Sequence, residues 1–286
     1  MLCPSRFGAA VIFMTALAGL PILAAAQAAP APAPSPTASP PAGPSDPCAS
    51  LSSLVSRPTF GTSPCSVKSG DLLSENGYTN LTTSGSGAGN LVSYPQSAVR
   101  VGLGGNLELD LLPPSYQALS GHPVTTGWSD TQVGIKYELG YSSRWLYGVN
   151  TLLTINTGTP AFTSNGLGIT ANFNCAYTLS PAVGLFATFG YNALSAGTAV
   201  APLRFQSFNP SAGISASLPQ GFNVFAEGFG QSSTGPGLGG RFGYDGGFSK
   251  DVGSRLQLDV NYFNYAAQFG AHAHSVGFGA SYLVGK

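Results

Sequence analysis

Apolar and polar residues alternate along most of the chain from about residue 71 to its end. In residues 131–139 the apolar positions are Val133, Ile135, Tyr137 and Leu139, and between them lie Gln132, Gly134, Lys136 and Glu138. Residues 145–156, 167–177 and 256–262 repeat the alternation. Successive side chains of a β-strand point to opposite faces, so this period of two predicts strands with one apolar and one polar face.

The connections between these predicted strands alternate between short and long. The short turns are Gly104-Gly105-Asn106, Tyr141-Ser142-Ser143, Leu179-Ser180-Pro181, Pro219-Gln220-Gly221 and Asp251-Val252-Gly253. The long loops lie near 80–90, 112–129, 157–166, 193–203, 231–237 and 265–271. Five short and six long connections join twelve strands and leave both ends of the barrel region on the short-turn side. An even strand number with this asymmetry is typical of an outer-membrane β-barrel.

The rival interpretation is a soluble β-sandwich or a lipocalin-like barrel, whose polar faces meet water. Asp, Glu, Lys and Arg make up 8% of the 286 residues, whereas an ordinary soluble domain carries about 25%. Gly, Ser and Asn occupy the polar faces instead. Aromatic residues near the predicted strand ends fit interfacial girdles: Tyr137, Tyr141, Trp145, Tyr147, Tyr177, Tyr191, Tyr262 and Tyr282. We therefore predict an all-β, transmembrane, antiparallel up-and-down β-barrel of about twelve strands.

Three segments precede the predicted barrel, which we assign to residues 71–286. Residues 1–28 contain an apolar run and a small-residue stretch, which favour a signal peptide over a retained single-span anchor. Residues 29–47 hold 8 prolines in 19 positions and are typical of an extended linker, although such tracts also bind partners. We expect residues 48–70 to form a periplasmic N-terminal segment.

Cysteine usage suggests one disulfide and no metal site. Cys48 and Cys65 bracket a short segment and form a candidate disulfide in an oxidising compartment; spacing alone leaves this open. Cys3 falls in the signal peptide, and Cys175 fits a small apolar position in a strand. No Cys/His spacing resembles a zinc site, and we expect no cofactor.

The few charged residues of the barrel region fall mostly on the polar faces, which would line a lumen. A lipid-facing Lys or Arg at the membrane midplane costs about 2–4 kcal/mol, so charge is expected inside. Acids and bases that pair across the lumen would hold a narrow barrel closed, and a solute-selecting constriction is the alternative; the two roles are compatible. Glu75 shares this pattern, whereas Pro210 interrupts the register near Arg204. The lumen candidates are Arg100, Glu108, Asp110, Asp130, Lys136, Glu138, Arg144, Glu227, Arg241, Asp245, Arg255 and Asp259.

Other residues admit a functional and a plain interpretation. Phe186, Phe225 and Phe263 fall on polar faces and would form either an apolar path or ordinary lumen packing. His272 and His274 are a possible metal or pH-sensing pair in a loop, but without a third ligand we interpret them as incidental. The 11 basic and 11 acidic residues balance, which argues against nucleic-acid binding. The sequence lacks a Gly-X-Ser-X-Gly elbow and a phosphate-binding glycine motif, so we do not expect an enzyme.

A set of short motifs, taken in order, resembles one family of bacterial outer-membrane transporters, the family of the meta-pathway of phenol degradation. The resemblance covers about residues 66–284. The motifs are residues 67–71, 75–78, 94–103 and 107–110, Ser129-Asp130, residues 134–139, the strand Leu152–Thr154 with the turn at 157–160, Phe225-Ala226-Glu227 and residues 256–259.

The resemblance implies an outer-membrane barrel that passes small aromatic or other hydrophobic compounds. Its implied partners are outer-membrane lipid, a small-molecule solute and the barrel-assembly machinery, with no nucleic acid. That machinery usually reads a terminal aromatic residue, whereas this sequence ends Tyr282-Leu283-Val284-Gly285-Lys286. A closed structural or adhesive barrel that binds partners through its outer loops is the alternative function.

Overall fold

The computed structural model describes residues 46–85, 88–120, 123–197, 202–268 and 270–285. The predicted signal peptide and nearly all of the Pro-rich linker lie outside these residues. A short helix, α1 (Leu51–Leu54), precedes fifteen β segments. The segments are β1 (Leu72–Ser84), β2 (Gly89–Tyr94), β3 (Ala98–Gly104), β4 (Leu107–Leu112), β5 (Tyr116–Leu119), β6 (Thr125–Trp128), β7 (Thr131–Tyr141), β8 (Trp145–Ile155), β9 (Gly168–Ser180), β10 (Val183–Gly197), β11 (Pro202–Leu218), β12 (Phe222–Gln231), β13 (Arg241–Val252), β14 (Leu256–Ala267) and β15 (His272–Val284).

These segments make one closed antiparallel barrel of twelve strands. Three strands are each interrupted once, so that β2 with β3, β4 with β5, and β6 with β7 follow the same paths around the barrel. Each strand pairs with its neighbours in sequence, and β15 closes the ring on β1 from Leu72↔Val284 to Ser84↔His272. The predicted fold class and strand number are confirmed.

The alternation of side chains places the apolar faces outward. On β7 the outward-facing Ile135 is 53% exposed, whereas its neighbour Lys136 is 1% exposed. Exposed aromatic residues recur around the outer surface: Tyr78, Tyr94, Trp128, Tyr137, Tyr141, Trp145, Tyr191, Tyr262 and Tyr282. An apolar outer surface around a polar interior is the arrangement that a bilayer requires of a barrel. Within the described ranges, every helix is too short or too polar to cross a membrane.

The five predicted short turns lie where the sequence indicated. At the first of them, β3 and β4 are joined through Gly104, Gly105 and Asn106, whose φ angles of 95°, 58° and 65° all lie in the left-handed region. Glycine and asparagine are the residues that adopt this region most readily, so the local sequence explains the tight connection.

The region 112–129, which we predicted as one long loop, contains β5 and β6. The prediction was wrong because each of these segments has only 4 residues, too few for a visible alternation. Pro113 and Pro114 also suggested a loop, since proline cannot donate to a strand ladder. They mark a break within a strand rather than its end.

Candidate functional site

Residues 46–67, which we call the lumen segment, fold against the inner face of the barrel. Helix α1 and the disulfide Cys48–Cys65, with an S–S distance of 2.01 Å, hold the segment in a compact loop. Its buried apolar residues pack on Leu73 and Leu146 of the barrel wall; they are Cys48, Leu51, Leu54, Val55, Cys65 and Val67. The barrel therefore encloses a small apolar core made largely by its own N-terminal segment.

Backbone N–H groups of the lumen segment donate to carboxylates on the wall. The pairs are Arg57 with Glu75 (3.1 Å), Phe60 and Gly61 with Glu227 (2.8 and 3.0 Å), Ser66 with Glu138 (3.4 Å) and Val67 with Glu108. Charge-assisted bonds of this kind are stronger than neutral ones. Four inward acids thus serve as acceptors for a segment that has no strand ladder to satisfy its backbone.

Arg100 is the centre of the largest ion cluster. Its guanidinium lies 2.7 Å from Glu75 and 2.7 Å from Glu108, and it also donates to the carbonyl oxygens of Leu54 (2.6 Å) and Cys65 (3.2 Å). Lys136 adds a second cation, 3.6 Å from Glu108. The cluster is buried, and it joins the lumen segment to β1, β3, β4 and β7.

Arg57 makes a second attachment, on the neighbouring strands β14 and β15. Its Nη2 lies 3.4 Å from Asp259 and donates to the carbonyl oxygen of Phe278 at 3.1 Å. Gly77 and Gly279 make room for it, because a Cβ at either position would overlap the guanidinium. Gly148 makes similar room for the backbone of Pro64. The wall is therefore shaped to admit the segment.

These contacts correct the expected position of residues 48–70. We expected this segment outside the barrel, whereas residues 48–67 lie between the inward faces of the strands. The segment has no periodicity, and its contacts reach wall residues up to 221 positions away, as in the bond from Arg57 to the carbonyl oxygen of Phe278. The candidate disulfide, which the sequence left open, is present. Arg57, which the sequence analysis did not single out, carries one of the main contacts.

Most of the lumen candidates are buried inside the barrel. They are Arg100, Glu108, Asp110, Lys136, Glu138, Glu227, Asp245 and Asp259, together with Glu75. Arg241 lines a cavity at the long-loop end, and Asp130 accepts from the backbone of Gly158 (2.9 Å) and Ser164 (2.7 Å) in the loop after β8. Among these residues, Glu75, Glu108, Glu138 and Glu227 accept from the backbone of the lumen segment, and Arg100 donates to it.

Two candidates lie elsewhere. Arg144 and Arg255 are exposed at short turns, where Arg144 donates to the Tyr177 hydroxyl at 3.0 Å and Arg255 to the carbonyl of Gly285 at 3.1 Å. The assignment to the lumen was wrong for both because alternation no longer fixes the face where a strand turns. Arg204 is exposed as well.

The histidine pair lies in strand β15 rather than in a loop. Both side chains are exposed, and the ring of His274 lies 6.5 Å from that of Tyr262 on the outer surface.

Three cavities adjoin the lumen segment. Two lie toward the long-loop end: one of about 800 Å³ reaches Asp130 and Ser164, and one of about 470 Å³ reaches Leu81 and Arg241. The third, of about 360 Å³, lies toward the short turns and is lined by residues 180–184. Arg57 and Thr59 border all three cavities, so the lumen segment separates the two ends of the barrel.

The ladder pairing between two wall strands is interrupted beside the 800 Å³ cavity. β2 pairs with β5 up to Tyr94↔Tyr116, and β3 pairs with β4 from Val99↔Leu111, so the two wall strands lack ladder pairing between these levels. Gln96, Ala98, Pro113 and Ser115 lie there and line the 800 Å³ cavity. Four unpaired residues span roughly 13 Å along a strand. At this level the cavity is therefore lined by residues of two neighbouring strands that do not pair with each other in a ladder.

Aromatic rings line the long-loop half of the lumen on another side. Phe60 stacks on Phe229 with ring centroids 4.3 Å apart, and Phe229 meets Phe263 edge-on at 6.3 Å. Phe263 thus lies inside, as expected for an inward-facing apolar residue. Phe186 and Phe225 line the cavity at the short-turn end instead.

Known structures share this architecture. An outer membrane channel from Pseudomonas putida F1 superposes with a TM-score of 0.61 at 13% identity, over 79% of this chain and 100% of that one. The NanC porin gives a TM-score of 0.50 at 11% identity, over 72% of this chain and 98% of its own. The sequence matches no protein-family model and no curated protein.

The closed ring of strands, the apolar outer surface and the polar interior agree with these likenesses in fold. Together they account for the low charge of the sequence, since the outer surface meets lipid rather than water. The protein is a closed twelve-stranded antiparallel β-barrel, similar in fold to outer-membrane channels.

Proposed function

We propose that the barrel is a channel for small aromatic or other hydrophobic compounds. The observation that carries this proposal is the 800 Å³ cavity on the long-loop side of the lumen segment. Its volume lies within the roughly 300–1,000 Å³ that is typical of small-molecule sites. Its lining is mostly polar, with Phe60, Leu112 and Leu152 among the apolar residues. The likeness in fold to an outer membrane channel supports the proposal.

The proposed route begins at the long loops and enters the cavity beside Asp130. It then has two continuations: past the lumen segment toward the short turns, or through the interrupted wall near Gln96 and Pro113. The first needs the segment to move, whereas the second leaves it in place. A hydrophobic solute favours the second, because lipid is a better solvent for it than water.

Several further expectations belong to the same proposal. Residues 1–28 would direct export, the short-turn end would face the periplasm, and the barrel-assembly machinery would insert the chain. The order of motifs that resembles the phenol meta-pathway transporters favours an aromatic solute. Expression of this protein together with enzymes that degrade aromatic compounds would support its membership in the phenol meta-pathway family.

Solute flux into liposomes tests the proposal. Purified, folded protein is reconstituted, and entry of a small neutral aromatic such as benzyl alcohol is compared with entry into protein-free liposomes. We expect faster entry with the protein. Folded barrels that pass no small solute would contradict the channel function.

A closed structural or adhesive barrel is the second candidate. The observation in its favour is the lumen segment, whose ion pairs and apolar core fill the short-turn half. Absence of flux together with binding of a partner to the long loops would support it.

A further inference from the structure

One cation inside the lumen has no carboxylate partner. Of the basic residues that the structure describes, four have side chains in the interior, and three of these form ion pairs: Arg57 with Asp259, Arg100 with Glu75 and Glu108, and Lys136 with Glu108. The fourth is Arg241. All 11 acidic residues of the chain belong to the described ranges, and none of them lies within ion-pair distance of Arg241.

The surroundings of Arg241 are aromatic rather than acidic. Its guanidinium carbon lies 4.5 Å from the centre of the Tyr265 ring, and its Nε is buried without a hydrogen-bond partner among the described residues. A cation–π contact partly compensates a desolvated guanidinium. The guanidinium also hydrogen-bonds to Tyr265, but this leaves the Nε–H without an acceptor, and a buried donor without an acceptor is costly.

The cavity of about 470 Å³ beside Arg241 has an apolar wall. Leu81 of β1, Leu91 of β2, Phe263 of β14 and Phe229 of β12 line it, with Phe60 of the lumen segment below. Gly243 allows this arrangement, since a Cβ there would lie 2.6 Å from the Phe229 ring. The site therefore combines one unpaired guanidinium with a pocket of rings and leucines.

We propose that this cavity binds a small aromatic carboxylate, with the carboxylate on Arg241 and the ring against Phe229 and Phe263. The inference rests on the proposed channel function and names its solute class. The planar guanidinium fork matches a carboxylate in two hydrogen bonds. The aromatic wall selects a ring over a purely aliphatic or hydrated anion.

The acid that lines the same cavity, Asp245, sets the orientation of such a ligand. Asp245 lines the cavity and lies opposite Glu227 on the neighbouring strand. Asp245 is four residues from Arg241 along β13, which corresponds to roughly 13 Å. The negative end of the ligand therefore belongs at the long-loop end with Arg241, and the uncharged ring points toward the acids.

Binding of benzoate to the full-length protein in nanodiscs tests the proposal, by isothermal titration calorimetry. Benzamide replaces the carboxylate by a neutral amide, and acetate removes the ring. We expect benzoate to bind, and both comparison compounds to bind at least about tenfold more weakly, the loss expected when a charge-assisted hydrogen bond or a buried ring is removed.

The matched variants are Arg241→Gln and Arg204→Gln. We expect Arg241→Gln to weaken benzoate binding by about tenfold or more, and Arg204→Gln, an exposed arginine outside the cavity, to leave it unchanged. Arg241→Lys keeps the charge without the fork and should bind benzoate with intermediate affinity. If Arg241→Gln does not show the heat-modifiable gel shift of a folded barrel, the Arg241→Lys variant replaces it in the binding test.

The outcomes separate this inference from the channel function. Equal binding of benzoate and benzamide, or unchanged benzoate binding in Arg241→Gln, would overturn the carboxylate site. Liposome flux of benzyl alcohol in those circumstances would leave the channel standing. Benzoate binding without any flux would support the site and contradict the channel.

Discussion

The two halves of the barrel interior contain the same kinds of side chain, but these side chains have different partners. In the short-turn half, Arg100 is paired with Glu75 and Glu108 and donates to the lumen segment, so that charge and backbone are satisfied internally. In the long-loop half, Arg241 has no acid partner and borders an open cavity. The comparison indicates what an inward-facing charge does. A charge that is paired with an acid stabilises the structure, whereas one without an acid partner is available to a solute.

The largest expected effect is on the short-turn half. Arg100→Ala leaves Glu75 without its cation and Glu108 with Lys136 alone, and two carbonyls of the lumen segment lose their donor. Breaking a buried ion pair from one side costs about 3–5 kcal/mol. We expect a loss of that size in urea unfolding of the barrel in detergent, followed by fluorescence.

The matched control for this prediction is Arg144→Ala, which removes an exposed arginine at a short turn. Its unfolding midpoint should match that of the unmodified protein. Equal losses in the two variants would show that the cluster around Arg100 does not hold the structure.

The next effect concerns the lumen segment alone. Replacing Cys48 and Cys65 by Ser opens a loop whose ends are 17 residues apart. Closing a loop of about that size contributes roughly 3 kcal/mol by chain entropy. We expect limited proteolysis to cut residues 46–67 much faster, while the strands stay resistant.

Cys175→Ser is the control, since Cys175 is the free cysteine of the described ranges. Proteolysis of this variant should follow that of the unmodified protein. Unchanged protection of the segment in the double variant would mean that its wall contacts suffice without the disulfide.

A smaller effect is expected where the two halves meet. Phe60 is 40% exposed, stacks on Phe229 and borders both long-loop cavities. Phe60→Ala should cost about 2 kcal/mol, because the partly buried ring loses both its apolar burial and its stacking on Phe229. It should nevertheless raise benzyl alcohol flux, since it enlarges the space on the proposed route. Reduced flux with unchanged stability would instead assign Phe60 to solute binding.

The smallest effect concerns the start of the lumen segment, outside the strands. Lys68 lies 2.7 Å from Asp46; this hydrogen bond lowers the pKa of Asp46 and raises the pKa of Lys68. The pair therefore stabilises the fold at neutral pH. Its contribution is lost in acid as the pH falls through the lowered pKa of Asp46, and in base as the pH rises through the raised pKa of Lys68.

An exposed pair of this kind contributes at most about 1 kcal/mol. Lys68→Gln should thus shift the urea midpoint slightly at pH 7 and not at all below the pKa of Asp46. A large shift at neutral pH would mean that the Asp46–Lys68 pair contributes more to the stability of the lumen segment than the Arg100 cluster does.

Alternation predicted the strands and the inward acids because lipid penalises an outward charge at every such position. Lys136 and Glu138 could be placed inside from their neighbours Ile135 and Tyr137 alone. The same rule failed for Arg144 and Arg255, since at a turn water is available on every side and the face is no longer determined.

The lumen segment could not be predicted from the pattern. Residues 48–67 have no period, and their partners are distant in sequence, as Arg57 and Asp259 show. The signals that existed were indirect: a pair of cysteines before the first strand, and inward glycines such as Gly77 and Gly279, which leave space for another part of the chain. The interruption of the wall strands could not be predicted either, because prolines such as Pro95 and Pro113 occur both in loops and at breaks within a strand.

Single-channel conductance in planar bilayers tests most directly the claim that the lumen segment closes the short-turn half of the barrel. The full-length protein is compared with a variant in which residues 46–67 are replaced by a Gly/Ser linker, after both show the gel shift of a folded barrel. We predict a conductance several-fold higher in the variant, since its cavities would then join along the axis. Equal conductance in the two proteins would contradict the account.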